Sequence, residues 1–174
     1  MGGGDATGRR SILAGLVALG GAAVLALLGV PAIAYVADPL LRRTASAKPW
    51  RQVCRVSQLR DDAPVGVPVM GEKVDAWTRS PLERLGTVWL QKTGRGVNAL
   101  SAECPHLGCT IRFDAAHDKF KCPCHASAFD RSGRALGGPA PRAMDALEAR
   151  VRGDFVEVRF VRFRTRKRER QELG

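Results

Sequence analysis

The sequence predicts a mostly β domain of antiparallel strands behind one N-terminal transmembrane helix. Three observations predict it. A run of 27 residues, Ser11–Ala37, carries no charge. After it come short runs rich in β-branched and aromatic residues, separated by turn formers. Between the early and late runs, four of the five cysteines fall within 21 residues, together with two histidines. The 174 residues leave room for one compact domain besides the anchor.

The chain opens with a Gly-rich stretch and Arg9-Arg10, so residues 1–10 are expected on the cytoplasmic side. As a helix, 11–37 would be roughly 40 Å long, more than the ~30 Å hydrocarbon core requires. Pro31 is expected to kink or end it. Ala14, Ala18, Ala22 and Ala26 recur every fourth residue, a small-residue stripe that allows close approach of another helix, or simply an Ala-rich composition. Gly8-Arg9-Arg10-Ser11-Ile12-Leu13 resembles a twin-arginine export signal, a route that exports folded, cofactor-loaded proteins. Arg42, Arg43, Lys48 and Arg51 beyond the span argue weakly for the opposite orientation; the export signal decides. Ala32-Ile33-Ala34 fits a signal-peptidase site, but the length of the run favours a retained anchor. The expectation is a single-pass protein of the cell (inner) membrane with its β domain on the outer, periplasmic side.

Residues 38–50 read as a linker of turn formers and charges. The domain is expected over 51–162, with strands at Gln52–Val56, Pro64–Met70, Thr87–Lys92 and Val97–Ser101. A hairpin follows at Leu147–Val151 and Phe155–Phe160 around Gly153-Asp154. The formal charge is +11, much of it between Arg159 and Arg170. No helix-turn-helix pattern or aromatic RNA-binding motif accompanies that charge, so no nucleic acid partner is expected. Residues 163–174 read as a solvated basic tail beside a membrane. No Ser-His-Asp triad and no phosphate loop is present.

The chemistry lies in Cys104-Pro-His106-Leu-Gly-Cys109 and Cys122-Pro-Cys124-His125-Ala-Ser127. A mixed pair of cysteines and histidines could bind zinc, but zinc motifs usually group Cys with Cys and His with His. Here each block mixes them and carries an extra cysteine. The pattern resembles the Rieske proteins, in which two histidines bind one iron and two cysteines the other. The resemblance covers most of residues 9–160 and is weakest over 60–85. It implies a Rieske-type antiparallel β-sandwich with a cluster-binding subdomain of two loops, about 102–142. It implies one [2Fe–2S] cluster on Cys104, His106, Cys122 and His125. The extra cysteines, Cys109 and Cys124, match those that form a disulfide between the loops in cytochrome bc and bf complexes. Such a bond suits an exported domain. Gly138-Pro139-Ala140-Pro141 looks like the Pro-rich loop beside the cluster in that family.

Four thiolates would make the oxidised centre a dianion, whereas two thiolates and two neutral imidazoles leave it uncharged. Reduction is then easier, so the potential exceeds that of all-cysteine ferredoxins. Each imidazole keeps a second nitrogen whose proton affinity rises on reduction, so electron and proton uptake couple. The resemblance implies that His106 and His125 expose that nitrogen at the domain tip, where one of them hydrogen-bonds the quinol. Ser127 matches a serine whose hydroxyl points at the cluster. Phe129 stands where high-potential relatives carry a tyrosine donor, which suggests a low potential suited to menaquinol. Ala126 replaces the usual glycine. The implied partners are a cytochrome b-type subunit, a cytochrome c-type acceptor, quinol and the membrane, with the linker letting the domain swing between donor and acceptor. The alternative is an electron-relay small subunit of an exported oxidase such as arsenite oxidase. His117 reads as a surface residue, Cys54 as a buried free thiol, and Trp50, Trp77 and Trp89 as packing residues, with Trp50 also a candidate for the membrane interface.

Overall fold

The computed structural model describes residues 5–41, 49–75, 78–94 and 96–173, so Trp77 and most of the expected linker lie outside the described residues. The chain forms two compact units, the N-terminal helix and the β domain. Helix α1, Asp5–Leu41, extends past the expected 11–37 at both ends. Pro31 does not end it. Its apolar side chains, Ile12 to Val36, are exposed along the whole length, and the stretch Gly8–Ala37 is long and apolar enough to cross a membrane once. A helix satisfies its own backbone, which is what a lipid environment demands.

Among the described residues, the second unit holds ten strands. These are β1 (Trp50–Arg55), β2 (Val65–Asp75), β3 (Thr78–Thr93), β4 (Gly96–Ser101), β5 (Arg112–Asp114), β6 (Lys119–Lys121), β7 (Ala128–Phe129), β8 (Ala135–Gly137), β9 (Ala146–Arg152) and β10 (Phe155–Arg159). A six-stranded sheet runs β1-β10-β9-β4-β3-β2, and a four-stranded sheet runs β5-β6-β7-β8. All the pairs are antiparallel. The expected strands coincide with these elements except at Val56, Pro64 and Phe160, each one residue outside, and the β9–β10 turn is closed by Gly153 at φ +58°. The β2–β3 hairpin is far longer than expected, with register shifts in its pairing after Val69 and Gly71.

Two cores lie on opposite faces of the same strands. Val88 and Leu90 of β3 and Ala99 of β4 join Val67, Val69, Val156 and Val158 in the first core. Side chains alternate along a strand, so Trp89 and Leu100 point the other way, into a second core with Ile111, Phe120, Phe129 and Met144. Trp89 stacks at 5.5 Å from Phe120, and its Nε1–H donates to the Ile111 carbonyl at 3.1 Å. Phe120 and Phe129 are wholly buried, worth about 2–3 kcal/mol each in area removed from water. Trp89 thus ties the small sheet to the large one.

The segment after β10 differs from the solvated tail expected for 163–174. Phe163 is buried in the first core, and its backbone bridges to Glu172. The Arg164 N–H donates to the Gln171 carbonyl at 2.9 Å, and the Leu173 N–H to that of Arg162 at 2.8 Å. The charged side chains remain exposed, while apolar Val161 and Phe163 anchor the strap between them.

Candidate metal centre

Two turns carry the sequence-predicted residues. Loop 1 spans 104–109 and loop 2 spans 122–127, and they share one backbone pattern. The Cys104 N–H donates to the Cys109 carbonyl at 2.9 Å, and the Cys122 N–H to the Ser127 carbonyl at 2.8 Å. The fifth residue of each is left-handed: Gly108 at φ +80°, Ala126 at φ +57°. Antiparallel strands flank loop 2, pairing Phe120 with Phe129, and a Glu103–Thr110 bridge closes loop 1.

The loops face one another. A disulfide joins Cys109 to Cys124. The rings of His106 and His125 meet edge to face, centroids 4.7 Å apart. Cys104 and Cys122 are buried free thiols beneath them, whereas His106 is half-buried and His125 exposed. Burial pushes the Cys104 thiol up, and the neighbouring Cys122 adds to it. The sulfurs of Cys109, Cys122 and Cys124 lie within 4.8 Å of one another, but two of them are spent in the disulfide and cannot act as thiolate ligands.

The donor set fits a cluster. His106 Nδ1 is buried and has no hydrogen-bond partner among the described residues. Buried polar atoms rarely stay unpaired, so such a nitrogen above two buried thiols is an available ligand. That leaves Nε2 of the same ring for a proton.

Ser127 is wholly buried, and its Oγ accepts from the Ala140 N–H at 3.1 Å. Its own hydroxyl hydrogen stays free to donate elsewhere. A Cβ added to Gly138, at φ +91°, would fall 2.5 Å from Ser127 Cα, so the 138–141 segment lies directly against loop 2. Pro139 itself is exposed. Phe129 is buried and brings no donor.

Some contacts gave no sequence signal. The Arg166 N–H donates to the carbonyl of Pro105, between Cys104 and His106, at 2.9 Å. Arg162 holds Glu103 through two hydrogen bonds of 3.0 and 2.8 Å. Arg142 pairs with buried Asp145 at 2.9 and 2.7 Å and donates to the Lys167 carbonyl at 2.6 Å. An alternation or motif search cannot find these, because half of the partners are backbone atoms.

The remaining candidates lie elsewhere. His117 is exposed and bonds Asp114 at 2.8 Å; Lys121, with His117, holds that carboxyl down at about 2. Cys54 is a free thiol in β1, only half-buried rather than buried as expected, and burial raises its pKa. Trp50 packs between the guanidinium groups of Arg150 and Arg159, at 4.1 and 5.2 Å.

The sequence matches the Rieske [2Fe-2S] domain family over residues 49–152. It is 32% identical over 161 residues to the menaquinol:cytochrome c reductase iron-sulfur subunit of Bacillus subtilis (strain 168), covering 90% of this chain and 93% of that one. A match of that extent takes in part of the apolar helix as well as the β domain. The cytochrome b6-f complex iron-sulfur subunit 1 of Nostoc sp. (strain PCC 7120) is 44% identical over 64 residues, 37% of this chain and 34% of that one. The chain thus spans about a third of that relative's length. Among solved structures, the plasma membrane Rieske protein PetC3 from Synechocystis PCC 6803 is 25% identical with a TM-score of 0.45, covering 62% of this chain and 96% of that one.

Proposed function

The chain belongs to the Rieske [2Fe–2S] family, and on that premise we propose that it is the iron–sulfur subunit of a membrane quinol-oxidising complex. It takes an electron, coupled to a proton, from a quinol of the menaquinol class and passes it to a cytochrome c-type acceptor beside a cytochrome b-type subunit. Cys104, Cys122, His106 and His125 hold the cluster, which supplies a one-electron site of raised potential. The carrying observation is the layering of the donors, with thiols buried and imidazoles at the rim. Buried thiolates keep water from the sulfur side. The rim imidazoles can meet a quinol hydroxyl and take up its proton on Nε2.

The other residues shape that step. Ser127, held by Ala140, directs its hydroxyl toward the thiol pocket. Phe129 offers no donor there, so the reduced, more negative state gains nothing from it and the potential stays low. The disulfide suits a domain exported to the outer side, through the twin-arginine signal, with α1 retained as the anchor. The length of the Bacillus match, across helix and domain, supports this reading over a soluble relay subunit.

The test is purification from membranes with partners intact, followed by menaquinol oxidation and redox titration. A midpoint falling by about 59 mV per pH unit above an imidazole pKa is expected for one-electron, one-proton uptake. Phe129→Tyr should raise the midpoint by about 40–60 mV, the equivalent of ~1 kcal/mol of hydrogen bonding. A pH-independent midpoint, or inability to oxidise quinol in the intact complex, would sink the proposal.

A further inference from the structure

The 162–173 strap is fixed to the ligand-bearing end of the domain. The Arg166 N–H is tied to the Pro105 carbonyl, and the Lys167 carbonyl to Arg142. Between Arg162 and Arg170, six of nine residues are cationic and one, Glu169, is acidic. Arg162 is neutralised by Glu103, and Arg170 lies 3.7 Å from Asp145. Arg164, Arg166, Lys167 and Arg168 are exposed and form no ion pair among the described residues. A cleft of about 470 Å³ brings Arg164 and Lys167 to the same wall as Leu107 and Gly108, and Leu107, the neighbour of His106, is 40% exposed.

We propose that this strap is the docking face for an acidic electron-transfer protein. The inference rests on the electron-transfer reading and deepens it by naming the partner's chemistry. Electrons pass only over short distances, so a redox partner has to approach the histidine end. The strap bordering that end is cationic, and beside it Leu107 is an exposed apolar residue. Like charges there repel a basic partner, and opposite charges steer an acidic one into productive encounter. Arg166 adopts a left-handed φ of +59°, and its N–H on the Pro105 carbonyl holds this cationic turn against loop 1. An anionic lipid surface would draw the same charges, but a patch clasped to the ligand loop and bordered by Leu107 favours a protein that exchanges electrons.

The experiment uses the reduced full-length protein in neutral detergent, with two forms of one acceptor. These are lysine-rich mitochondrial cytochrome c and the same protein succinylated to make it acidic. At low ionic strength the acidic form should be reduced about tenfold faster or more, with the advantage lost at high salt. Combined Arg164→Gln, Lys167→Gln and Arg168→Gln should remove most of the advantage while leaving the cluster spectrum unchanged. Combined Lys73→Gln, Lys92→Gln and Arg152→Gln, an equal charge loss on the large sheet, should leave most of it. Equal rates for both acceptors, or equal effects of the two triple variants, would overturn the proposal. So would equal rates for the wild type and the strap variant with the acidic acceptor in phosphatidylglycerol vesicles, which would assign the patch to lipid. Reduction of neither form at any salt would sink the electron-transfer reading as well as this one.

Discussion

The two ligand loops share a backbone but not a support. Each starts at a Cys-Pro pair, closes with an N–H to a carbonyl five residues on, and places a left-handed residue at its fifth position. The histidine is third in loop 1 and fourth in loop 2. That one-step offset leaves His106 half-buried and His125 exposed, with the rings at right angles. Loop 1 is held by the C-terminal strap, through Arg166 on Pro105 and Arg162 on Glu103. Loop 2 is held by the 138–141 segment, through Ala140 on Ser127. A repeated turn thus fixes the local shape, and two unrelated segments fix the position of each copy. The disulfide is the covalent tie between the copies.

The largest expected effect comes from the support of loop 1. Arg142 and Asp145 are 8% and 5% exposed, and Arg142 also holds the strap at Lys167. Among the described residues, Arg142→Met leaves the Asp145 carboxylate with Arg170 alone, at 3.7 Å. Stripping one partner from a buried pair costs about 3–5 kcal/mol, here near the lower end because Arg170 remains. Urea unfolding followed by circular dichroism measures the loss. Hydrogen exchange should quicken at the Cys104 and Gly108 amides, which donate to the Cys109 and Cys104 carbonyls, more than at Cys122. Equal quickening in both loops would mean that the supports are not separate.

This support is also where the sequence was least readable. The ligand pattern, the paired extra cysteines and most strands were legible because they depend on residue type at short spacing. The 138–141 segment was legible through its prolines. The strap was not. Its basic composition reads as solvated, and its six cations, Arg162, Arg164, Arg166, Lys167, Arg168 and Arg170, are indeed exposed. Its structure comes from backbone atoms and from Phe163, whose burial depends on strands far away in sequence. The long β2–β3 hairpin was missed for a related reason. Burial still alternates past Val69, but the next buried position is Gly71, so the apolar alternation that signals a strand stops there.

The next effect in size falls on loop 2. Gly138→Ala would place a methyl 2.5 Å from Ser127 Cα and 2.9 Å from the Ala126 carbonyl, at φ +91°. Left-handed strain and overpacking together predict a loss of about 2–4 kcal/mol. The Ala140–Ser127 hydrogen bond should break with it, so exchange quickens at Cys122 while the loop 1 amides hold. A stability unchanged within 0.5 kcal/mol, roughly the range for a neutral surface change, would show that the 138–141 segment rests on loop 2 without bracing it.

The smallest effect tests the shared backbone itself. Ala126 sits at φ +57°, where Gly108 occupies the equivalent place in loop 1 at φ +80°. An L-residue there costs about 1–2 kcal/mol, and the unfolded-state entropy of a glycine returns about 0.4–1 kcal/mol of any relief. Ala126→Gly should therefore stabilise by up to ~1 kcal/mol, whereas Gly108→Ala should destabilise by about 1 kcal/mol. The second change also brings a methyl 3.3 Å from Glu103 Oε1, which Arg162 holds, so packing adds to the backbone cost. Opposite signs in the two loops are the signature of one turn used twice. If both substitutions destabilise, Ala126 is held by contacts of its methyl group, and the loops are alike in hydrogen bonding but not in conformational energy.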